Sequence, residues 1–451
     1  MQTASDLTKG RVSTRLLGFF FPMLLTNTLQ QTYTFIDTVI VGKGLGDEAL
    51  GAVGNLSSLT LLITGFLMGI TNGFSVNIAQ SFGAGAHTQL RKNIAHSIKL
   101  CGIIAATLTL ISLITLKPLA IALQTPPSLM RDSLLYGYIF FGGLIVTAAY
   151  NLCSSSLRAL GDSKTPFKAI IISSIINIVL DCLLIFVFHT GVEGAALATV
   201  FAQAISVLVC YHKLRKSPLL HLKREDFKQD CSLSFSLLGN GIPAALMNSV
   251  TAVGCMVVQG YVNALGQVFT SAYSACSKYL NLIMLPSLTA GFSLSAFVSQ
   301  NKGAGNFHRI REGVRVGIMI AVVSWVVIGD IMLLFPGQLS SVMLNEPETI
   351  SLAADFLRIC GISLLLLNLL FIFRCTVQGM GQPLIPMFSG IVEMALRILI
   401  ITIMVAKVGF RATAYAESIA WFGALLLNIV TYIVLIRRIT CPAPSIQASS
   451  K

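Results

Sequence analysis

Runs of about 20 apolar residues recur along the whole chain, each closed by a short stretch of Gly, Pro and charge. Twelve such runs, at 16–42, 49–76, 94–116, 132–157, 167–190, 192–212, 234–262, 268–299, 314–335, 350–376, 384–406 and 410–436, predict an all-α polytopic membrane protein with 12 transmembrane helices. The segment Met1 to Arg15 is polar and has no small-residue cleavage site before the first apolar run. No secretory signal is therefore expected, and helix 1 is expected to act as its own insertion signal.

The pattern occurs twice. Ile78-Ala79-Gln80-Ser81-Phe82-Gly83-Ala84-Gly85 resembles Val298-Ser299-Gln300-Asn301-Lys302-Gly303-Ala304-Gly305 at an offset of 220 residues. The same offset carries Gly161 onto Gly381 and Pro166 onto Pro386, each just after an even-numbered helix; Pro22 of helix 1 meets Pro243 of helix 7 at 221. Landmarks held in register predict a duplication. Each copy has an even number of helices, six, so the two run the same way through the membrane as parallel repeats. An N-lobe (1–212) and a C-lobe (233–451) are expected, joined by a charged linker (213–232) and enclosing a central V-shaped cavity.

Composition and charge agree with a bilayer as solvent. Of the 451 residues 55% are hydrophobic and 11% charged, where a soluble protein has roughly a quarter charged. With the N-terminus inside, 22 of the 31 basic residues fall on cytoplasmic segments: Lys9, Arg11, Arg15, Arg91, Lys92, Arg158, Lys164 and Lys168, six between Lys213 and Lys228, then Lys302, Arg309, Arg311, Arg315, Arg374, Arg437, Arg438 and Lys451. Five fall outside: Lys43, Lys117, Arg131, Lys407 and Arg411. This split predicts both termini in the cytoplasm and accounts for the net charge of +13 without a nucleic-acid partner. The ten cysteines form no CxxC pair and are read as apolar packing residues; neither a disulfide framework nor a structural metal is expected.

The two copies differ where it matters most. Asp37 lies deep in helix 1, but its counterpart is Val257 or Val258; Asn177 and Asp181 lie in helix 5, against Arg397 and Ile401. A carboxylate in hydrocarbon costs at least about 2.5 kcal/mol, so it normally faces a polar interior and serves a purpose. Asn177 and Asp181 are four apart and share a helix face. Two carboxylates and an amide can coordinate a hard cation or hold a proton between like charges, either of which makes a coupling site. The alternative is a satisfied polar network that only packs helices.

Five stretches now resemble the multidrug and toxic compound extrusion (MATE) family across nearly the whole chain: Pro22 to Gly42 (PMLLTNTLQQTYTFIDTVIVG), Gln80 to Gly85 (QSFGAG), Leu157 to Phe167 (LRALGDSKTPF), Asn177 to Asp181 (NIVLD) and Gly191 to Thr199 (GVEGAALAT). The chain looks more like the DinF-like branch than the NorM-like one. The resemblance implies an N-lobe proton or Na⁺ site at Asp37, Asn177, Asp181 and Thr199, a bend of helix 1 at Pro22, and substrate contacts at Gln30, Tyr33, Tyr136 and Asn151. NorM-like members use acids in helices 7 and 10. Here those neighbourhoods hold Asn248-Ser249 and Leu367-Asn368, so no C-lobe cation site of that kind is expected. No cofactor is implied beyond the coupling ion.

Several other charged residues lie within predicted helices. Glu393 and Arg397, spaced i, i+4, suit an intrahelical ion pair, and Glu417 is placed to join it. Lys278 is expected to make an internal salt bridge. The Gly-rich pieces at Gly83 and Gly303 lack the Walker lysine pattern, so an ion gradient must supply the energy. The implied function is a secondary active antiporter, not an enzyme. It would export amphipathic, cationic or aromatic small molecules by alternating access, as a monomer in the lipid bilayer of a bacterial inner membrane. The alternative is a flippase for a lipid-linked saccharide, whose cavity would be basic where this one offers acids. A channel or receptor fits duplicated halves with a broken-symmetry ion site less well.

Overall fold

The computed structural model describes residues 6–122 and 125–440; Lys451, one of the basic residues expected in the cytoplasm, lies outside them. All regular structure among the described residues is helical. In chain order the helices are α1 (Val12–Leu45), α2 (Asp47–Asn55), α3 (Ser57–Gly83), α4 (His87–Ala122), α5 (Pro127–Gly142), α6 (Leu144–Ala159), α7 (Lys164–Cys182), α8 (Val192–Arg215), α9 (Cys231–Leu265), α10 (Gln267–Ile283), α11 (Leu285–Gly303), α12 (Phe307–Leu334), α13 (Pro336–Met343), α14 (Pro347–Gly379), α15 (Leu384–Val408) and α16 (Arg411–Thr440).

These make the twelve expected segments and one short extra helix: α2–α3, α5–α6 and α10–α11 are single runs interrupted by one residue, and the eight-residue α13 follows α12 without being long enough to span a membrane. By length and composition nine segments can cross a membrane, or ten with the bent α5–α6 pair, among the described residues. The two others, α1 and α15, carry Asp37 and the Glu393–Arg397 pair. The helices overrun the apolar runs: α4 spans 87–122 where 94–116 was expected, since intrahelical hydrogen bonds continue past the apolar face into its polar flanks. The α5–α6 run bends by 44° at Gly143. A Cβ there would stand 2.5 Å from the Val200 side chain, so the absent side chain is what lets α8 approach. Pro286, early in α11, has no N–H to donate and marks the α10–α11 break. α1 passes through Pro22 unbroken, and the Thr26 hydroxyl donates to the Pro22 carbonyl at 2.7 Å.

The duplication is visible in the backbone. α4 begins at His87 and α12 at Phe307; α5 and α14 begin at Pro127 and Pro347; α7 and α15 begin at Lys164 and Leu384. Gly85 and Gly305 both adopt positive φ (68° and 72°), as do Gly161 and Gly381 (82° and 72°). Ala86 N–H donates to Ser81 O, as Asn306 donates to Asn301; Asp162 donates to Leu157, as Gln382 does to Val377. These are glycine-terminated helix ends, in which a left-handed residue lets the chain reach back to the last free carbonyls.

Packing divides the chain into two compact units, one running to Ala252 and the other beginning at Val253, inside α9. The core of the first gathers Leu67, Phe74, Leu116 and Phe141 with Leu233, Leu237 and Ala245 from the start of α9. Gly69 and Gly73 of α3 meet the α9 backbone at Ala245 and Asn240, where any Cβ would clash. Large apolar side chains such as Phe35, Ile114 and Val187 are exposed, the condition expected where lipid replaces water. The nine described cysteines are free thiols. One assignment from the sequence is corrected: Arg374 is not a loop cation. It is buried in α14 and bonded to Glu393, because α14 continues to Gly379 and carries it inside.

Candidate functional site

In the first unit α1 packs along α7, and α7 packs along α8. Asp37 projects from α1, while Asn177 and Asp181 sit one turn apart on α7. Asp181 is wholly buried, Asn177 is 1% exposed, and Thr199 on α8 is 8% exposed. The carboxyls of Asp37 and Asp181 lie within hydrogen-bond reach of each other. Among the described residues, no N–H or O–H group donates to Asp37 Oδ1 or to either oxygen of Asp181, and the Asn177 amide has no partner at either atom. No basic side chain among the described residues forms a salt bridge with either acid. Unpaired buried polar atoms of this kind are costly and rare in native proteins. Asp37 and Asp181 together form an acidic pair that one small cation or proton would satisfy.

Val41, Ala49, Ile185, Val192 and Ala195 form a buried apolar cluster, joined by Leu135 and by Tyr136, which also stands near the acids. Gly44 of α1 lies so close to Ile185 that an added Cβ would stand 2.5 Å away. Tyr33 and Tyr136 stand near enough to interact electrostatically with both acids, and Tyr136 stacks on Phe140 with centroids 5.9 Å apart. Gln30 is exposed on α1 and Asn151 half-buried on α6; neither bonds to the acid pair. The structure thus brings Asp37, Asp181, Tyr33 and Tyr136 together, with Asn177 buried one turn along α7 and Thr199 buried on the adjoining helix. No group of three or more His, Cys, Asp or Glu suited to a metal occurs among the described residues. An alkali cation here would draw its remaining oxygens from the Asn177 amide, a hydroxyl such as that of Thr199, or main-chain carbonyls.

The corresponding part of the second unit is built differently. Arg374 Nη2 bonds Glu393 Oε2 at 2.6 Å, and Arg397 Nη2 bonds Glu393 Oε1 at 2.9 Å and Glu417 Oε2 at 2.8 Å. Arg374 Nε also donates to Ser389 Oγ at 3.2 Å. The Glu393–Arg397 pair and the addition of Glu417 were expected from spacing. The part of Arg374 was missed because its position near the end of an apolar run reads as a loop. Lys278 is corrected: it is exposed on α10 and forms no ion pair among the described residues. Its neighbours one helical turn away, Ser274, Ala275, Asn281 and Leu282, include no acid to meet it.

Comparison with known proteins agrees with this architecture. The MatE family model matches residues 22–183 and 243–408, one match in each half. The "Probable multidrug resistance protein YoeA" of Bacillus subtilis is 31% identical over 376 residues, covering 82% of this chain and 81% of that protein. The "FAD transporter" of Shewanella oneidensis is 24% identical, covering 94% and 92%. Among solved structures, MATE in the bent conformation superposes with a TM-score of 0.91 at 20% identity, covering 97% of this chain and 99% of that one. A MOP superfamily transporter from Pyrococcus furiosus gives 0.90 at 20% identity, covering 98% and 100%. Matched in both halves by the family model and along most of its length by a relative above 30% identity, the chain belongs to the MatE family of membrane transporters.

Proposed function

We propose that this protein is a secondary active exporter that exchanges amphipathic, cationic or aromatic small molecules for H⁺ or Na⁺, with Asp37, Asn177, Asp181 and Thr199 as the coupling site. One observation carries the reading: two carboxyls face each other in the first unit, with an unpartnered amide one turn away and no basic residue among those described paired to them. Such a group has one vacancy for positive charge. An inward-moving ion and an outward-moving cationic substrate would compete for it, and that competition links their movements. Tyr33 and Tyr136 would supply aromatic faces beside the acids, where cation–π attraction is worth about 0.5–2 kcal/mol, and Gln30 and Asn151 uncharged dipoles. The multidrug names of relatives in Bacillus subtilis support the substrate class. A lipid-linked saccharide carries phosphate, which an acidic pocket repels, so the flippase reading is disfavoured.

The test is transport in proteoliposomes with a proton gradient or a Na⁺ gradient imposed separately. Uphill accumulation of a fluorescent organic cation driven by one gradient supports the proposal. Movement that only ever follows the substrate's own gradient would sink it.

A further inference from the structure

The register of the duplication makes the two charged groups comparable residue by residue. α7 and α15 start at Lys164 and Leu384, so Asn177 and Arg397 hold the same position in their helices. In the first unit that position lies one turn from the Asp181 carboxyl and has no hydrogen-bond partner among the described residues. In the second it holds a guanidinium that bonds two carboxylates, Glu393 at 2.9 Å and Glu417 at 2.8 Å. Cluster members are at most 5% exposed, and two arginines balance two glutamates. Arg374 neutralises Glu393 from its other side at 2.6 Å, which leaves Arg397 as the sole counter-charge of Glu417. The rest of the guanidinium is poorly held: among the described residues Nη1 reaches only the Cys255 sulfur at 3.7 Å, and Nε has no partner. Hydrogen-bond geometry alone does not account for an arginine placed this way. Its charge does.

We propose that Arg397 is a tethered cation that permanently fills a latent monovalent-cation site formed by Glu417 with Glu393, so that the second half takes up no coupling ion. The inference rests on reading Asp37 and Asp181 as the coupling pair of the first half. The duplicated scaffold then holds one exchangeable positive charge and one fixed one. Without Arg397 the cluster would carry one net negative charge in apolar surroundings, and Glu417 would recover neutrality by taking a proton or an alkali cation.

The experiment uses full-length protein purified in detergent, with Asp37→Asn and Asp181→Asn as background so that the first site is silent. Thermal unfolding is followed against pH at fixed Na⁺, and against Na⁺ at fixed pH. Adding Arg397→Gln is expected to create a new cation dependence: the unfolding temperature rises by several degrees as pH falls or Na⁺ increases, and which arm responds identifies the ion. Arg397→Lys keeps a tethered cation and is expected to show no such dependence. Arg397→Gln with Glu417→Gln restores neutrality and should be cation-independent again. Should Arg397→Gln fail to fold at neutral pH, folding of the Arg397→Gln, Glu417→Gln protein assigns the defect to unbalanced charge and supports the proposal. Failure of both, or an Arg397→Gln protein that folds without any cation dependence, overturns it. The background itself reports separately on the first half, because its transport is assayed without reference to Arg397.

Discussion

Replacing Asp181 with Asn is the most direct challenge to the proposed coupling site. The side chain is wholly buried, its oxygens accept no hydrogen bond from any described residue, and its carboxyl faces that of Asp37. Two unit negative charges about 4 Å apart repel by about 4 kcal/mol at an effective dielectric of about 20. That repulsion favours a singly neutralised pair by about a thousandfold over a doubly charged one. Asn keeps the shape and removes the charge, so the pair no longer needs a proton or cation to relieve it. Coupling energies between ligands are commonly about 1–3 kcal/mol, so gradient-driven efflux should fall by about 5- to 150-fold. Downhill counterflow of the substrate and the yield of folded protein should change little, since no hydrogen bond is lost. The assay is counterflow and gradient-driven uptake in the same vesicles, with Asp37→Asn in parallel. Wild-type rates with unchanged ion dependence in both variants would refute the reasoning and return the acids to a packing role.

Tyr33→Ala should alter the relative transport of different aromatic cations while leaving expression intact, because it removes a π-face and a hydroxyl beside the acids but no charge; equal loss for every substrate in a transport panel would argue against a binding role. Glu393→Ala leaves Arg374 and half of the Arg397 contact uncompensated and should destabilise the purified protein by about 3–5 kcal/mol, read as earlier thermal unfolding; a cost under about 1 kcal/mol would mean the cluster is solvated. Thr199→Ala should weaken a Na⁺-driven cycle more than a proton-driven one, since a hydroxyl ligates a metal ion but adds little to a carboxyl proton site; equal effects on the two gradients would remove Thr199 from the ion's ligands. An exposed cysteine at Glu225→Cys should be labelled only after the membrane is opened, and labelling from outside intact cells would reverse the proposed topology.

The helices and the duplication were legible in the sequence because each has a local cause. Apolar runs of membrane width specify the spans, and Gly85, Gly161, Gly305 and Gly381 stand where the chain needs positive φ. The acid pair was legible for a similar reason, since Asp37 and Asp181 interrupt apolar runs and have no acidic counterpart at the repeat offset. What the sequence hides is the identity of partners. Arg374 reads as a basic residue at the edge of a run, and only the extension of α14 to Gly379 carries it to Glu393. Lys278 reads as an internal cation needing an acid, but its exposed position on α10 supplies none. Both depend on which side of a helix meets which neighbour, information that one sequence does not contain.

The contrast between loops and charges follows from what each copy of the fold requires. A helix end that turns through a left-handed glycine admits few substitutes, so Gly85 and Gly305, and Gly161 and Gly381, make matching bonds in the two halves. A buried polar cluster is held to a looser condition, namely that its charges balance when the protein is folded. The second half meets that condition with its own side chains, Arg374 and Arg397 against Glu393 and Glu417. The first half has no basic residue paired to Asp37 or Asp181 among those described, and so can meet it only by taking charge from outside. A group that must borrow a positive charge is sensitive to the concentration of ions on whichever side of the membrane it faces; one that is already neutral is not. Under the proposed function, the first half would be the one to sense a gradient, and its two acids would be where the energy of transport enters.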